Sequence, residues 1–328
     1  YPNDDMLDLN NSCSTPPCDP QDLWQVNPHL IETEDYWYLY TVSSSWTNQN
    51  LIFIKTSIEK STGIHTNTEP VNILTIPNTN AYTVFKMNQN GQGAITNTCC
   101  LNTTIEYSIT TDFGLTWSEL ISIPDAILAQ GFADIGFPQP DREFFRNHEA
   151  YTDQNDGLHV FTGVHMWDTT NGDDTTNYFH FYNPTPDDQN SWIINHVTDI
   201  TQSSNYDYAG QNADEFLFPG ISFSNTGSNV IWFVCNKVSE VDDNGYTDVD
   251  IYLYKSEDFG LSWTEFGNLT NTTVGHHIET FIHAIPLSTD SFVSFMYQIP
   301  DLDVLTLPDD YGYPDYKQLI YFGYYYDS

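Results

Sequence analysis

The chain has 328 residues and a formal net charge of −37, with 8 Lys and Arg against 45 Asp and Glu. That balance excludes nucleic acid and anionic membrane surfaces as partners, because binding phosphate needs a basic footprint. Hydrophobic residues make up 39% and aromatic residues 15%, which supports a packed core and argues against disorder. No run reaches the roughly 18–20 apolar residues of a membrane span.

Residues 1–20 form a polar arm, YPNDDMLDLNNSCSTPPCDP, that reads as the start of a processed chain whose signal peptide has been removed. Cys13 and Cys18 flank a Thr-Pro-Pro turn and can close a small disulfide loop, which points to an oxidising, extracellular or cell-surface compartment. The pairing of Cys99, Cys100 and Cys235 stays open. Sequons begin at Asn10, Asn102, Asn268 and Asn271, as many as chance supplies in a chain so rich in Asn, Ser and Thr. Residues 21–328 read as one domain. The acid excess suits high salt, a divalent-cation-rich exterior or simply the solubility of a secreted protein.

From there the pattern is that of strands. Runs rich in Tyr, Phe, Val, Ile and Thr alternate between Asn, Asp and Gly turns, and almost no segment has a helical period. Strand pairs with short turns are predicted at 28–42, 83–99, 149–164, 219–235 and 283–297. Two later segments match each other, IEYSITTDFGLTWSEL at 105–120 and IYLYKSEDFGLSWTEF at 251–266. Thr110, Asp112, Gly114, Thr116 and Trp117 in one correspond to Ser256, Asp258, Gly260, Ser262 and Trp263 in the other. Degenerate copies follow the same plan at 184–193, with Trp192, and at 55–64, with Ser57 and Gly63.

The motif resembles the Asp-box of sialidase-like, BNR-repeat propellers. In such a turn the Asp and hydroxyl side chains bond backbone groups, Gly supplies an unusual backbone conformation and Trp packs between strands. The residues are therefore structural. The five units give an all-β, five-bladed β-propeller. A six-bladed ring, usual for sialidases, is the alternative and would need a blade hidden in 118–145. The last unit ends at 317–328 without a fourth strand. The segment 21–27, with Trp24 in the place of the box Trp, is predicted to supply it, so the N- and C-terminal strands would pair and close the ring.

Short turns fall on one face and long connections on the other, at 121–145, 166–177, 236–248 and 298–317. Residues predicted at the mouth of the central channel are His29, His148, Glu149, Asp214, Glu215, His276, His277 and Glu279. The interblade link adds Asp141, Arg142, Glu143 and Arg146. Both arginines of the chain lie in this stretch, and arginine suits bidentate capture of carboxylate or phosphate; pairing with neighbouring acids is the other reading. The candidate ligand-binding set is Asp141, Arg142, Arg146, His148, Trp167, Asp214 and His277. Trp46, Tyr206, Tyr208, Tyr311 and Tyr313 accompany Trp167 as aromatics able to stack on sugar rings. His276, His277, Glu279 and His283 form a His-rich patch, either a transition-metal site or a set of solvated or hydrogen-bonded histidines.

The stretch 240–248 resembles a calcium loop, with Asp242, Asn244, the Tyr246 carbonyl and Asp248 as oxygen ligands for Ca²⁺. It departs from the pattern in having Glu240 first, and an Asn-Gly hairpin turn is the alternative. The sialidase resemblance implies three substrate-binding arginines; with two, a standard sialidase is excluded. The first unit is also similar to five-bladed arabinanase-type glycosidases, in which an Asp-Pro opens the first inner strand. Here Asn27-Pro28 stands in its place, and Asn cannot act as a base. Glycoside hydrolysis needs two carboxyl groups, for which Glu149 and Glu215 are candidates. The reading expected first is a secreted or surface-displayed propeller with a non-catalytic glycan-binding, adhesive or assembly role. It would hold a glycan or cell-surface component, with Ca²⁺ as a structural ion. The alternative is a glycoside hydrolase acting on an extracellular polysaccharide.

Overall fold

In a computed structural model, the described residues are 23–45, 50–67, 71–75, 83–98, 103–138, 141–170, 173–200, 219–241, 247–272, 279–300 and 318–327. The chain is all-β, a five-bladed β-propeller, with five antiparallel sheets and, among the described residues, a single helix. The first sheet holds β1 (Leu23–Glu32), β2 (Tyr36–Ser45) and β3 (Asn50–Glu59); two short strands, β4 (His65–Asn67) and β5 (Val71–Thr75), divide the outer edge of β3. The second is β6 (Thr83–Met87), β7 (Gly93–Asn97), β8 (Glu106–Thr110) and β9 (Ile121–Ser122). The third is β10 (Asp141–Thr152), β11 (Leu158–Asp168), β12 (Asp173–Asn183) and β13 (Ile193–Asp199). The fourth is β14 (Pro219–Phe223), β15 (Ile231–Val241), β16 (Thr247–Ser256) and β17 (Thr264–Asn268). The fifth is β18 (Thr280–Ala284), β19 (Phe292–Pro300) and β20 (Gln318–Tyr326).

Each predicted strand pair is the opening hairpin of one sheet. The turns form because short polar side chains replace missing backbone partners. Asn88 Oδ1 accepts hydrogen bonds from the backbone N–H groups of Asn90 and Gln92 at 2.9 and 3.1 Å. Asp153 Oδ1 does the same for Asn155 and Gly157 at 2.6 and 3.0 Å.

Three expectations are corrected. β1 pairs with β2 from Leu23↔Ser45 to Glu32↔Trp37, so Leu23 and Trp24 belong to the first sheet and do not complete the fifth. Among the described residues the fifth sheet has three strands. The supposed loops at 166–177 and 236–248 are largely strand, because β11, β12, β15 and β16 run on past the neighbouring short strands. The link 121–145 contains helix α1 (Asp125–Asp134), whose Phe132 meets Phe179 and Phe181 of β12 edge-on, with ring centroids 5.0 and 6.0 Å away.

The residues group into two compact units: Tyr1–Leu128 with Ala150–Val160 and Tyr182–Ile193, and Ala129–Glu149 with Phe161–Phe181 and Ile194–Ser328. In the first, Ile31, Tyr40, Val42, Phe53, Phe85, Met87 and Ile95 form a buried cluster on which Trp117 packs. Trp117 stands 5.4 Å from Phe53 and 6.1 Å from Phe85, between the first and second sheets. In the second, Phe161, Tyr178, Ile231, Phe233 and Cys235 belong to a cluster on which Trp263 packs.

The two matching turns share one hydrogen-bond pattern. Gly114 N–H donates to Thr110 Oγ1 at 3.0 Å, and Thr116 donates to Asp112 from its backbone at 2.9 Å and its hydroxyl at 2.6 Å. Gly260 N–H donates to Ser256 Oγ at 2.7 Å, and Ser262 donates to Asp258 at 2.8 and 2.5 Å. The glycines are required: Gly114 and Gly260 have φ of 80° and 88°, a region that side chains resist.

Candidate functional site

The first strands of the third and fifth sheets bring two ionisable groups together. His283 Nδ1 of β18 lies 4.0 Å from Glu149 Oε1 of β10. Both reach solvent, with side chains 46% and 22% exposed. Glu149 lies in the second half of β10, not at the beginning of an inner strand as expected. The backbone of β18 is held close to the fourth sheet at this level: a Cβ on Gly220 of β14 would come within 2.9 Å of Ala284 N, so only glycine allows that approach. Just before β18, Glu279 is fully buried; its N–H donates to Val249 O at 3.1 Å and its carbonyl accepts from Asn236 Nδ2 at 3.0 Å. Burial pushes the Tyr297 hydroxyl of β19 up, and the negative charge of Glu279 adds to the shift.

The other sequence-derived candidates are dispersed. Asp141 is exposed at the start of β10. Arg142 is buried, its guanidinium 5.9 Å from the centroid of the Phe132 ring, so helix α1 covers the arginine that was expected to capture an acidic ligand. Arg146 lies within β10, and His148 beside Glu149 is buried. Trp167 near the end of β11 stacks on His165 at 5.2 Å, and His165 Nδ1 lies 3.0 Å from Thr176 Oγ1. His29 of β1 is held between Phe85, edge-on at 5.6 Å, and Met87, whose carbonyl lies 2.8 Å from His29 Nε2. Burial takes its pKa down to about 4, against the hydrogen bond with Met87, which raises it, and with help from Lys86.

Asp214, Glu215, His276, His277, Asp242, Asn244 and Tyr246 lie outside the described residues, as do Trp46, Tyr206, Tyr208, Tyr311 and Tyr313 and the cysteines at 13, 18, 99 and 100. Of the calcium stretch, Glu240 and Asp248 are cross-strand neighbours on β15 and β16, and Val241 pairs with Thr247. In the sequence His283 stands out only as part of the His-rich patch. Its approach to Glu149 joins two sheets, and no local spacing signals it.

No protein-family model and no curated protein matches the chain. Among solved structures it is similar to a GH62 hydrolase in complex with xylotriose, at 10% identity over 89% of this chain and 90% of that one, with a TM-score of 0.43. It is similar to the GH93 α-L-arabinofuranosidase of Fusarium graminearum with arabinobiose, at 10% identity over 87% and 79%, with a TM-score of 0.45. A thermostable family-43 glycoside hydrolase gives 10% identity over 84% of each chain and a TM-score of 0.41. At such identity the likeness is one of fold. The expectation of a non-catalytic binding, adhesive or assembly role is corrected here: these neighbours are titled as hydrolases, and the hydrolase alternative agrees with them better.

Proposed function

We propose that this chain is a glycoside hydrolase acting on an extracellular polysaccharide. The observation that carries the reading is Glu149, a solvent-reaching carboxyl on a first strand, with the His283 imidazole 4.0 Å away. A propeller fold alone would not support it, because one fold hosts many functions. A glycosidase needs one carboxyl group to protonate the leaving oxygen and a second to act as nucleophile or to activate water. Glu149 supplies one of the pair and Glu215 the other in this reading. Trp167, stacked on His165, offers a flat apolar surface suited to a sugar ring. Ca²⁺ held by Asp242, Asn244, Tyr246 and Asp248 belongs to the proposal as a structural ion that fastens the tip of the β15–β16 hairpin.

The test is release of reducing ends from a panel of plant and microbial polysaccharides, neutral and acidic. Turnover by the wild-type chain that is lost in Glu149→Gln and in Glu215→Gln supports the reading. Wild-type protein that hydrolyses none of the panel, or variants with undiminished rates, contradicts it.

A further inference from the structure

Two of the sequons stand side by side at the end of β17, Asn268-Leu269-Thr270 and Asn271-Thr272-Thr273. Their number carries no weight, but the structure treats the two asparagines differently. We propose that Asn271 is a site of N-linked glycosylation and that the fold keeps Asn268 clear of glycan. The inference takes from the reading above only the extracellular location and does not depend on hydrolysis.

Asn268 is committed to a buried carboxylate. Its Nδ2 donates to Asp250 Oδ2 at 2.5 Å, and Asp250, on β16, is 1% exposed. The same carboxylate accepts the Thr270 hydroxyl at 3.0 Å and both the N–H and the hydroxyl of Thr272 at 2.9 Å. Asn268 Oδ1 closes the turn by accepting the N–H groups of Thr270 at 3.1 Å and Asn271 at 2.8 Å. Leu269 packs against the apolar cluster of the fourth and fifth sheets. Both ends of the Asn268 amide are therefore in use. A sugar on its Nδ2 would have to share the space in which Asp250 is held, and a buried carboxylate that loses a donor is costly.

Asn271 is exposed, and among the described residues only its backbone N–H enters this network. Its φ of 47° lies in the left-handed region, which Asn adopts more readily than most side chains. Thr273, which completes the sequon, lies outside the described residues. An exposed turn is the setting in which a glycan is tolerated. In the transfer, Asn271 Nδ2 forms a bond to C1 of an oligosaccharide carried on a lipid pyrophosphate. The bond from C1 to the pyrophosphate oxygen breaks, the amide gives up one proton and the lipid pyrophosphate leaves. A transfer that precedes folding meets both sequons alike. Folding then discriminates, because a chain glycosylated at Asn268 leaves Asp250 without that partner.

The experiment expresses the full chain behind a secretion signal in a eukaryotic cell line that attaches N-glycans. Enzymatic release of glycan in heavy-oxygen water converts each glycosylated Asn to labelled Asp, and peptide fragmentation reads positions 268 and 271 separately. In protein recovered from the medium we expect label at Asn271 and none at Asn268. Thr273→Ala removes the sequon and leaves Asn271 in place; it should abolish the label while its melting temperature, measured after glycan removal, matches the wild type. Label at Asn268 in the secreted protein, or an unlabelled Asn271 in both medium and cells, overturns the proposal.

A second arm tests why Asn268 is excluded. Asn268→Ala should lower the melting temperature of the deglycosylated chain by at least about 2 °C, since Asp250 loses a donor. A fold indifferent to Asn268→Ala shows that Asp250 does not need that amide, and overturns the discrimination between the two sites. Neither arm reads turnover, so the hydrolase reading stands or falls on its own panel.

Discussion

Trp263 meets Phe161 edge-on with ring centroids 5.9 Å apart, so the Trp of a turn in the fourth sheet is seated on a strand of the third. It also stands 6.2 Å from His180 and 5.9 Å from Phe233. The turn that delivers it is closed by the Ser262 N–H on Asp258, with Gly260 between them at a φ of 88°. One short motif therefore fixes both a hairpin and the packing of adjacent sheets.

Trp263→Ala should destabilise the chain by about 3 kcal/mol, the low end for truncating a large aromatic, because the ring is only partly buried. Urea unfolding measures it. A cost no larger than that of an ordinary surface change would show that the ring contributes no packing.

Acid should destabilise the fold before its carboxylates titrate. His29 has a pKa lowered to about 4, and burial lowers His159 and His196 in the same direction. The unfolded chain takes up protons near pH 6.5 while these native sites remain neutral, so stability is full above pH 6.5 and falls as the pH drops towards 4. The share of His29 is roughly 3 kcal/mol. Unfolding free energy at pH 7.5 and 4.5, in wild type and His29→Gln, checks the sign: the variant should lose less between the two.

Cys235 should be inert in the native protein. It is fully buried on β15, and burial pushes its thiol well above the usual range, outweighing the opposing effect of Lys237. Alkylation followed by peptide mapping should leave Cys235 unmodified until denaturant is added. Rapid labelling of Cys235 under native conditions would contradict its burial.

Much of this architecture is written locally. The five opening hairpins are legible because alternating apolar residues flank turns such as Asn88–Gln92 and Asp153–Gly157, whose side chains supply the turn's own hydrogen bonds. The pair of Asp turns is legible because every residue in it has a separate job. Helix α1 is not, since its apolar contacts, Phe132 on Phe179 and Gly131 against Ile194, come from the third sheet and leave only a weak period in the sequence. The lengths of β11, β12, β15 and β16 are hidden because their outer ends are polar and read as loop. The predicted pairing of chain ends fails for a related reason. Nothing local distinguishes a new strand at Leu23 from the beginning of β1, and Trp24 is opposite Ser44. Of the candidate site, Glu149 is visible in the sequence, while its neighbour His283 comes from a sheet that only folding brings near.

Calcium, if bound at the β15–β16 hairpin, stabilises by mass action. Adding Ca²⁺ to chelator-treated protein should raise the melting temperature, and Asp248→Asn should abolish the increase. A melting temperature indifferent to Ca²⁺ in the wild type removes the ion from the account.

The decisive measurement is kcat of Glu149→Gln on the best polysaccharide of the panel, with unfolding compared in parallel. The account predicts a fall of at least about a hundredfold in a variant whose melting temperature matches that of the wild type. A correctly folded Glu149→Gln that turns over as fast as the parent would contradict it.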